Sequence, residues 1–226
     1  LSPIVRLTGG LVDRIIHCIA HDHDWRITLF AALICMAGLG VSTHVMQRMG
    51  RRDPGRRRRS VLLAVMIGAL SIWATHFVAM QGFVAGVPVR HNPFLTIASL
   101  GIALAMIGLT IGSTLMGKGR MWRVLAAVIA VAGVGAMHYL GMAAIKAPAH
   151  ISWDPGLVAL SIIAALAIGG TTAFFYRRGG LLRLLATTTG LSATVLVLHF
   201  IGMSAIIMNG ARIGKDCLVA AGALVL

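Results

Sequence analysis

Three short histidine phrases recur at a nearly constant interval, and this repeat constrains the fold more than any other feature of the chain. They read His76-Phe-Val-Ala-Met80, His138-Tyr-Leu-Gly-Met142 and His199-Phe-Ile-Gly-Met203, so the histidines lie 62 and 61 residues apart. Each phrase has the order histidine, aromatic, apolar, small, methionine. Self-similarity at a fixed period indicates one supersecondary unit used several times. We therefore expect three equivalent units, each contributing one histidine and one methionine.

Long apolar segments surround the three phrases. Each segment contains the roughly 20 residues that a helix needs to cross a bilayer. The mean hydropathy is +0.90 and only 12% of the residues are charged, whereas soluble domains average about 25%. The sequence therefore excludes an ordinary soluble domain and predicts an all-α integral membrane protein. The predicted spans are 27–47, 60–82, 94–116, 121–145, 154–176 and 181–207.

A seventh apolar run begins near Cys217 and reaches Leu226. We expect it to be the start of a seventh transmembrane helix that continues into a cytoplasmic output domain of the same chain. The predicted fold thus has seven transmembrane helices, six of them arranged as three two-helix hairpins about a pseudo-threefold axis. The expected domains are an amphipathic outer-surface segment (1–23), a membrane domain (24–212, with repeats 24–86, 87–149 and 150–212) and the start of the seventh helix (213–226).

The basic residues are distributed unevenly between the loops. Of the 20 Lys and Arg residues, 13 lie in the three loops that follow the first, third and fifth spans. The positive-inside rule predicts that these loops are cytoplasmic, with the N-terminus outside and the C-terminus inside. The run Arg51–Arg59 could be taken for a nucleic-acid patch, but no aromatic residue interleaves with it and it joins two spans. We expect it to contact the anionic headgroups of the lipid bilayer, and we expect no nucleic-acid partner.

The residue types of the phrases point to a soft metal ion. A histidine and a methionine four residues apart share one face of a helix, and all three phrases lie at the same depth in the bilayer. Imidazole and thioether ligands together favour copper, whereas Mg²⁺ or Ca²⁺ would require carboxylates. The alternative is that the histidines only form hydrogen bonds between helices. The candidate metal ligands are His76, Met80, His138, Met142, His199 and Met203.

Other histidines lie outside the apolar segments. His17, His21 and His23 precede the first span, where they could form a second metal site or a lid over the first. The alternative is that Asp24 caps the first span and these histidines are solvated. His91 and His150, in the outer loops, are further accessory candidates.

The segment Met137-His138-Tyr139-Leu140-Gly141-Met142 and its two counterparts resemble the MHYT domain of bacterial membrane signalling proteins. The resemblance covers most of the chain, including Cys18–Asp24, and implies that 24–212 is a sensor domain in the bacterial inner membrane. It implies copper bound by the six candidate ligands and a diatomic gas ligand (O₂, CO or NO) or a redox signal. The implied output domain is a diguanylate cyclase, phosphodiesterase or kinase, and a dimeric output enzyme would favour a homodimer.

Two other functions use the same residue types. A copper transporter would place ligands at several depths, and haem ligation by histidine and methionine would require space for a macrocycle. The sequence shows neither a nucleophile–base set nor a chain of intramembrane carboxylates. We therefore expect this part of the chain not to be an enzyme.

Overall fold

The computed structural model describes residues 3–49, 54–84, 89–117, 119–147, 150–175 and 179–209. These ranges contain seven α-helices and four short strands. The helices are α1 (Pro3–Ala20), α2 (Trp25–Gln47), α3 (Pro54–Gln81), α4 (Pro93–Met116), α5 (Arg120–Ala143), α6 (Pro155–Phe175) and α7 (Leu181–Ser204). The strands are β1 (Arg90–His91), β2 (Ile145–Lys146), β3 (His150–Trp153) and β4 (Ile206–Asn209).

The six predicted spans are confirmed as helices, α2 to α7, that are long and apolar enough to cross a membrane. The largest difference is at α3, which begins at Pro54, six residues before the predicted span. Proline is favoured in the first helical turn, and arginine is a good helix former, so the basic run Arg56–Arg59 continues the helix beyond the apolar segment. The predicted seventh helix, at 213–226, lies outside the described residues.

The six long helices form three antiparallel hairpins, α2–α3, α4–α5 and α6–α7, and contacts between α2 and α7 close the ring. Helices α3, α5 and α7 are the inner helices: 39%, 50% and 33% of their most apolar stretch is buried, against 28%, 22% and 22% for α2, α4 and α6. The outer helices expose large apolar side chains, as expected of a surface that faces lipid. The histidine phrases all lie on the inner helices.

Short strands join the hairpins at one end of the bundle, which we call the strand end, opposite the arginine-rich end. Strand β1 pairs with β2, β3 pairs with β4, and His23 forms an isolated bridge with Phe83, all antiparallel. The sequence did not predict these strands. They form because the residues beyond each inner helix pair their backbone groups with the residues that precede each outer helix.

Each outer helix begins in the same way. The backbone N–H groups of Asp24, Asn92 and Asp154 donate to the carbonyls of Gly82, Ala144 and Ala205, at 2.8, 2.7 and 2.8 Å. The side chain of each donor residue caps its own helix by accepting from the backbone N–H two residues later. The predicted cap at Asp24 is therefore confirmed, and each outer helix is fixed to the end of its inner partner.

Helix α1 packs against α7 at the strand end. The Arg14 guanidinium donates to Asp154 Oδ2 at 2.7 Å and to the Ser204 carbonyl at 2.9 Å. Backbone N–H donors of Leu157 and Gly156, together with Arg14, hold the pKa of Asp154 below its usual value. Arg14 thus connects α1 to the start of α6 and the end of α7, next to the third histidine phrase.

Candidate metal centre

The three phrase histidines meet at the centre of the bundle, near the strand end. His76, His138 and His199 are buried, with 3%, 1% and 4% of their surface exposed. The Nδ1 atom of His76 lies 3.2 Å from Nδ1 of His138 and 3.4 Å from Nδ1 of His199. Three imidazoles from three helices therefore turn the same ring nitrogen towards one point.

The spacing of these nitrogen atoms suits a metal ion. An imidazole nitrogen binds zinc at about 2.0–2.1 Å, and nitrogen ligands at that distance lie about 3.3–3.6 Å apart in tetrahedral or trigonal geometry. The observed separation of 3.4 Å lies within this range, and the separation of 3.2 Å lies just below it. Within the described ranges this is the one group of three or more His, Cys, Asp or Glu side chains whose ligand atoms all lie within 4.8 Å of each other.

The glycines of the second and third phrases allow the histidines to approach. A Cβ atom added at Gly141 would lie 2.5 Å from Nε2 of His76, and one added at Gly202 would lie 2.5 Å from Nε2 of His138. Each of these histidines therefore contacts the backbone of the next inner helix. Small residues permit such close approach between membrane helices, and here they bring an imidazole against the neighbouring backbone.

The outer edges of the three rings have no hydrogen-bond partner. The Nε2 atoms of His76, His138 and His199 are all buried and unpartnered among the described residues. Each such atom costs about 1–3 kcal/mol when it is left unsatisfied. Since the Nδ1 atoms face one another and the Nε2 atoms face outwards, Nδ1 is the coordinating atom that this arrangement offers.

The three phrase methionines form a sulfur-rich layer on the strand side of the histidines. Met80, Met142 and Met203 are buried in one cluster with Cys18 of α1 and Ile145. Each methionine is four residues beyond its histidine, about 6 Å further along the helix. Burial raises the pKa of the Cys18 thiol. The predicted methionines are thus brought together, and the structure adds the thiol of Cys18 to them.

A cavity of about 330 Å³ opens beside this layer at the strand end. Cys18 and Met203 line the cavity together with His17 and Asp22. The Nδ1 atom of His17 lies 3.4 Å from Oδ1 of Asp22. The cavity therefore connects exposed side chains of the N-terminal segment with the buried sulfur layer.

The accessory histidines differ in their burial and in their distance from the three central histidines. His17 and His21 are exposed and their ring centroids lie 5.0 Å apart, away from the central three. His23 is buried, and its ring centroid lies 5.9 Å from that of His199. His91 is half-buried, and its ring centroid lies 5.7 Å from that of Phe77. The backbone of His150 lies in β3, but its side chain is outside the described part of the structure.

A ring of aromatic contacts between neighbouring hairpins surrounds the three histidines. Each phrase aromatic contacts the ring that stands two residues before an outer helix. The pairs are Phe77 with His91, Tyr139 with Trp153 and Phe200 with His23, with ring centroids 5.7, 5.6 and 5.3 Å apart and interplanar angles of 70°, 71° and 77°. His23, His91 and Trp153 therefore occupy equivalent positions. Their shared feature in the sequence is the capping Asp or Asn that follows each of them.

Comparison with known families gives an independent line of evidence. The family described as "MHYT: Bacterial signalling protein N terminal repeat" matches residues 70–128 and 132–188, together about half of the chain. The two matched segments begin 62 residues apart, which is the interval between His76 and His138. No solved structure gives a significant match.

Curated bacterial proteins are also similar to this chain. An uncharacterized signaling protein of Caulobacter vibrioides is 30% identical over 220 residues, which are 95% of this chain and 27% of the relative. The cyclic di-GMP phosphodiesterase NbdA of Pseudomonas aeruginosa is 33% identical over 192 residues, 81% of this chain and 24% of the relative. MucR of the same organism, a bifunctional diguanylate cyclase/cyclic di-GMP phosphodiesterase, is 30% identical over 142 residues, 59% of this chain and 21% of the relative. The chain thus spans about a quarter of the length of these relatives.

Proposed function

Because the chain belongs to the MHYT family of bacterial signalling proteins, we propose that it is a membrane input domain for a cytoplasmic cyclic di-GMP signalling domain. In this proposal the domain senses O₂, CO, NO or redox state through a copper centre. The ligands are His76, His138 and His199 through Nδ1, with Met80, Met142 and Met203 on the strand side.

One observation carries the proposal: three buried imidazoles present Nδ1 atoms 3.2 and 3.4 Å apart beneath a layer of thioether sulfurs. Nitrogen and thioether ligands favour copper over hard cations. Three buried imidazoles without a carboxylate partner are also hard to explain as packing alone, because polar groups within a membrane are costly and usually functional.

Copper held there would supply a redox-active ion that can bind a diatomic gas. The protein supplies a water-poor surrounding, since the histidines and methionines are almost fully buried. It also couples the centre to helix packing. Nε2 of His76 lies against Gly141 and Nε2 of His138 against Gly202, so a shift of either ring displaces the neighbouring inner helix. A ligand that prefers one arrangement of the histidines would shift the equilibrium between two arrangements of the helices.

The orientation of this multi-pass membrane protein follows the basic residues. We propose that the arginine-rich end is cytoplasmic, in the bacterial inner membrane, and that the metal centre lies near the outer surface. The cavity at the strand end would then admit the ion or gas from outside. The three repeats, 24–86, 87–149 and 150–212, would each contribute one histidine, and residues 213–226 would lead to the output domain.

The packing of the bundle disfavours copper transport. On the arginine-rich side of the histidines the interior is filled by a hydrophobic cluster that includes Leu39, Ile72, Val131, Val134 and Leu198, and Cys35 and Met137 are the two sulfur-containing side chains described among its buried residues. A conduit would require ligands through this region. Haem is disfavoured as well, because Nδ1 atoms 3.2–3.4 Å apart leave no space for a macrocycle between the histidines.

The proposed function is tested by the cyclic di-GMP turnover of the full-length protein in membranes, measured with and without copper and each gas. We expect turnover to respond in the parent and to lose the response in His138→Gln, which removes one coordinating nitrogen. His44→Ala is the matched control, since His44 is exposed near the arginine-rich end and its loss should leave the response intact. An equal response in the parent and His138→Gln would overturn the proposal, and copper uptake into proteoliposomes would favour transport.

A further inference from the structure

His23 is held in one tautomer by the backbone. Its Nδ1 atom lies 2.9 Å from the Cys18 carbonyl oxygen. Because a carbonyl oxygen only accepts, Nδ1 must carry the proton, and the lone pair is on Nε2. Metal-binding sites commonly fix the state of an imidazole through such a bond to a backbone carbonyl.

The lone pair of His23 has no partner. Nε2 of His23 is buried and forms no hydrogen bond within the described residues, and only 5% of the residue surface is exposed. The nearest central ring is that of His199, whose own Nε2 is also buried and unpartnered. The two rings meet edge to face, at 5.9 Å between centroids and 75° between planes. Nε2 of His23, a hydrogen-bond acceptor, thus belongs to the ring that packs against His199, whose Nε2 atom has no partner among the described residues.

His91 occupies the equivalent position before the next outer helix, and the third equivalent position holds a tryptophan. His91 stands two residues before α4, as His23 does before α2, and its Nε2 is likewise buried and unpartnered. Its ring contacts Phe77, the residue that follows His76. The third position is Trp153, whose indole N–H can only donate. Two of the three outer positions therefore offer an imidazole acceptor.

We propose that His23 and His91 are positioning residues that form an outer imidazole shell around the metal centre, accepting hydrogen bonds from Nε2 of His199 and His76. The inference rests on the proposed metal centre. When a central histidine coordinates through Nδ1, its proton is on Nε2 and requires an acceptor. For His199 a continuous path of hydrogen bonds results. Nδ1 of His199 would bind the metal, and its Nε2–H would donate to Nε2 of His23. Nδ1–H of His23 donates to the Cys18 carbonyl.

This path gives the N-terminal helix a direct connection to the centre. Cys18 lies in the last turn of α1, and Arg14 of the same helix contacts Asp154 and the Ser204 carbonyl. The outer shell is also unequal, because His138 has Trp153 where the other two have an imidazole. We therefore expect the three coordinating histidines to be inequivalent.

The test compares His23→Gln and His23→Leu in the full-length protein. The glutamine amide oxygen can accept from Nε2–H of His199, whereas leucine cannot. We expect the copper affinity, measured by competition with a chelator, to fall about 10–100-fold in His23→Leu and to stay near the parental value in His23→Gln. Electron spin-echo modulation of the Cu(II) form detects the imidazole nitrogen that does not coordinate, here Nε2 of His199. Its signal should change in His23→Leu, and a purely structural role of His23 would not produce this change. The number of bound ions should be unchanged.

A gain-of-function variant provides a second readout. Trp153→His places an imidazole at the third outer position, against Tyr139, the residue that follows His138, and we expect the signal of the remote nitrogen of His138 to change. An unaltered affinity and spectrum in His23→Leu would overturn the outer-shell role while leaving the proposed function standing. The loss of one bound ion in that variant would overturn it too, because His23 would then be a ligand. Absence of copper from the parent protein would instead overturn the proposed function and this inference together.

Discussion

Replacing Gly141 by alanine is expected to abolish copper binding at the histidine centre. The new Cβ atom would lie 2.5 Å from Nε2 and 2.9 Å from Cδ2 of His76, so the ring or the helix must move by about 1 Å to reach ordinary contact. Metal–ligand distances tolerate only about 0.2 Å. The measurement is copper content after purification, which we expect to fall to the level of a variant that lacks the three histidines.

Gly101→Ala is the matched control for this substitution. Gly101 lies on α4, where an added Cβ would meet nothing within 4 Å. Alanine is favoured over glycine in a helix by about 1 kcal/mol, so this variant should bind copper normally and be slightly more stable. Full copper content in Gly141→Ala would show that Nε2 of His76 does not lie against α5 in the protein, and it would contradict the geometry of the centre.

The second large effect is expected from the sulfur layer. Substituting Met80, Met142 and Met203 together by leucine keeps the volume of the side chains nearly constant and removes all three thioethers. Thioethers select Cu(I), whereas imidazole also suits Cu(II) and Zn²⁺. We expect Cu(I) affinity to fall by at least about 100-fold, the upper end of the cost of losing an outer-shell partner, while Zn²⁺ affinity changes much less. Competition titrations with each ion measure the difference.

The control replaces three exposed methionines, Met66, Met116 and Met121, by leucine. It alters the same number of sulfur atoms on the lipid-facing surface and at the arginine-rich end, and it should leave both affinities unchanged. If the buried triple variant kept parental Cu(I) affinity, the phrase methionines would be packing residues, and the centre would consist of imidazoles alone.

The sequence predicted the position of the centre because two periodicities agree. The interval between the phrases placed His76, His138 and His199 at one depth, and the apolar segments placed each on the second helix of a hairpin. The three histidines meet at one point if the second helices of the hairpins are the inner ones, as the structure shows. The structure confirms six helices at these segments, with ends that differ by up to six residues where basic or loop residues extend or shorten the apolar pattern.

Other features could not be predicted from residue types. The choice of Nδ1 over Nε2 depends on side-chain rotation and on how closely Gly141 and Gly202 approach the neighbouring rings. The equivalence of His23 and Trp153 was hidden because the connecting loops differ in length, so these residues do not share the interval of the phrases. The backbone hydrogen bonds of the capping residues and the matching aromatic contacts show that they stand in the same place. The short strands were not predicted because they have only two or four residues each, too few for an alternating pattern to be recognised.

The asymmetry of the outer shell suggests how an apparently threefold site can respond in one direction. If His23 and His91 restrain two coordinating histidines, His138 is the ring least restrained by hydrogen bonds. Its Nε2 lies against Gly202, so its movement would act on α7, the helix that also contacts α1. We expect His138 to move most when the centre changes state.

The most direct test of the metal centre is the metal content of the detergent-purified protein, measured by mass spectrometry beside the triple variant His76→Ala, His138→Ala and His199→Ala. The account predicts copper in the parent and its loss in the variant, with both proteins folded and equally helical. A parent that holds no metal even after loading with Cu(I), or a triple variant that retains parental copper, would contradict it.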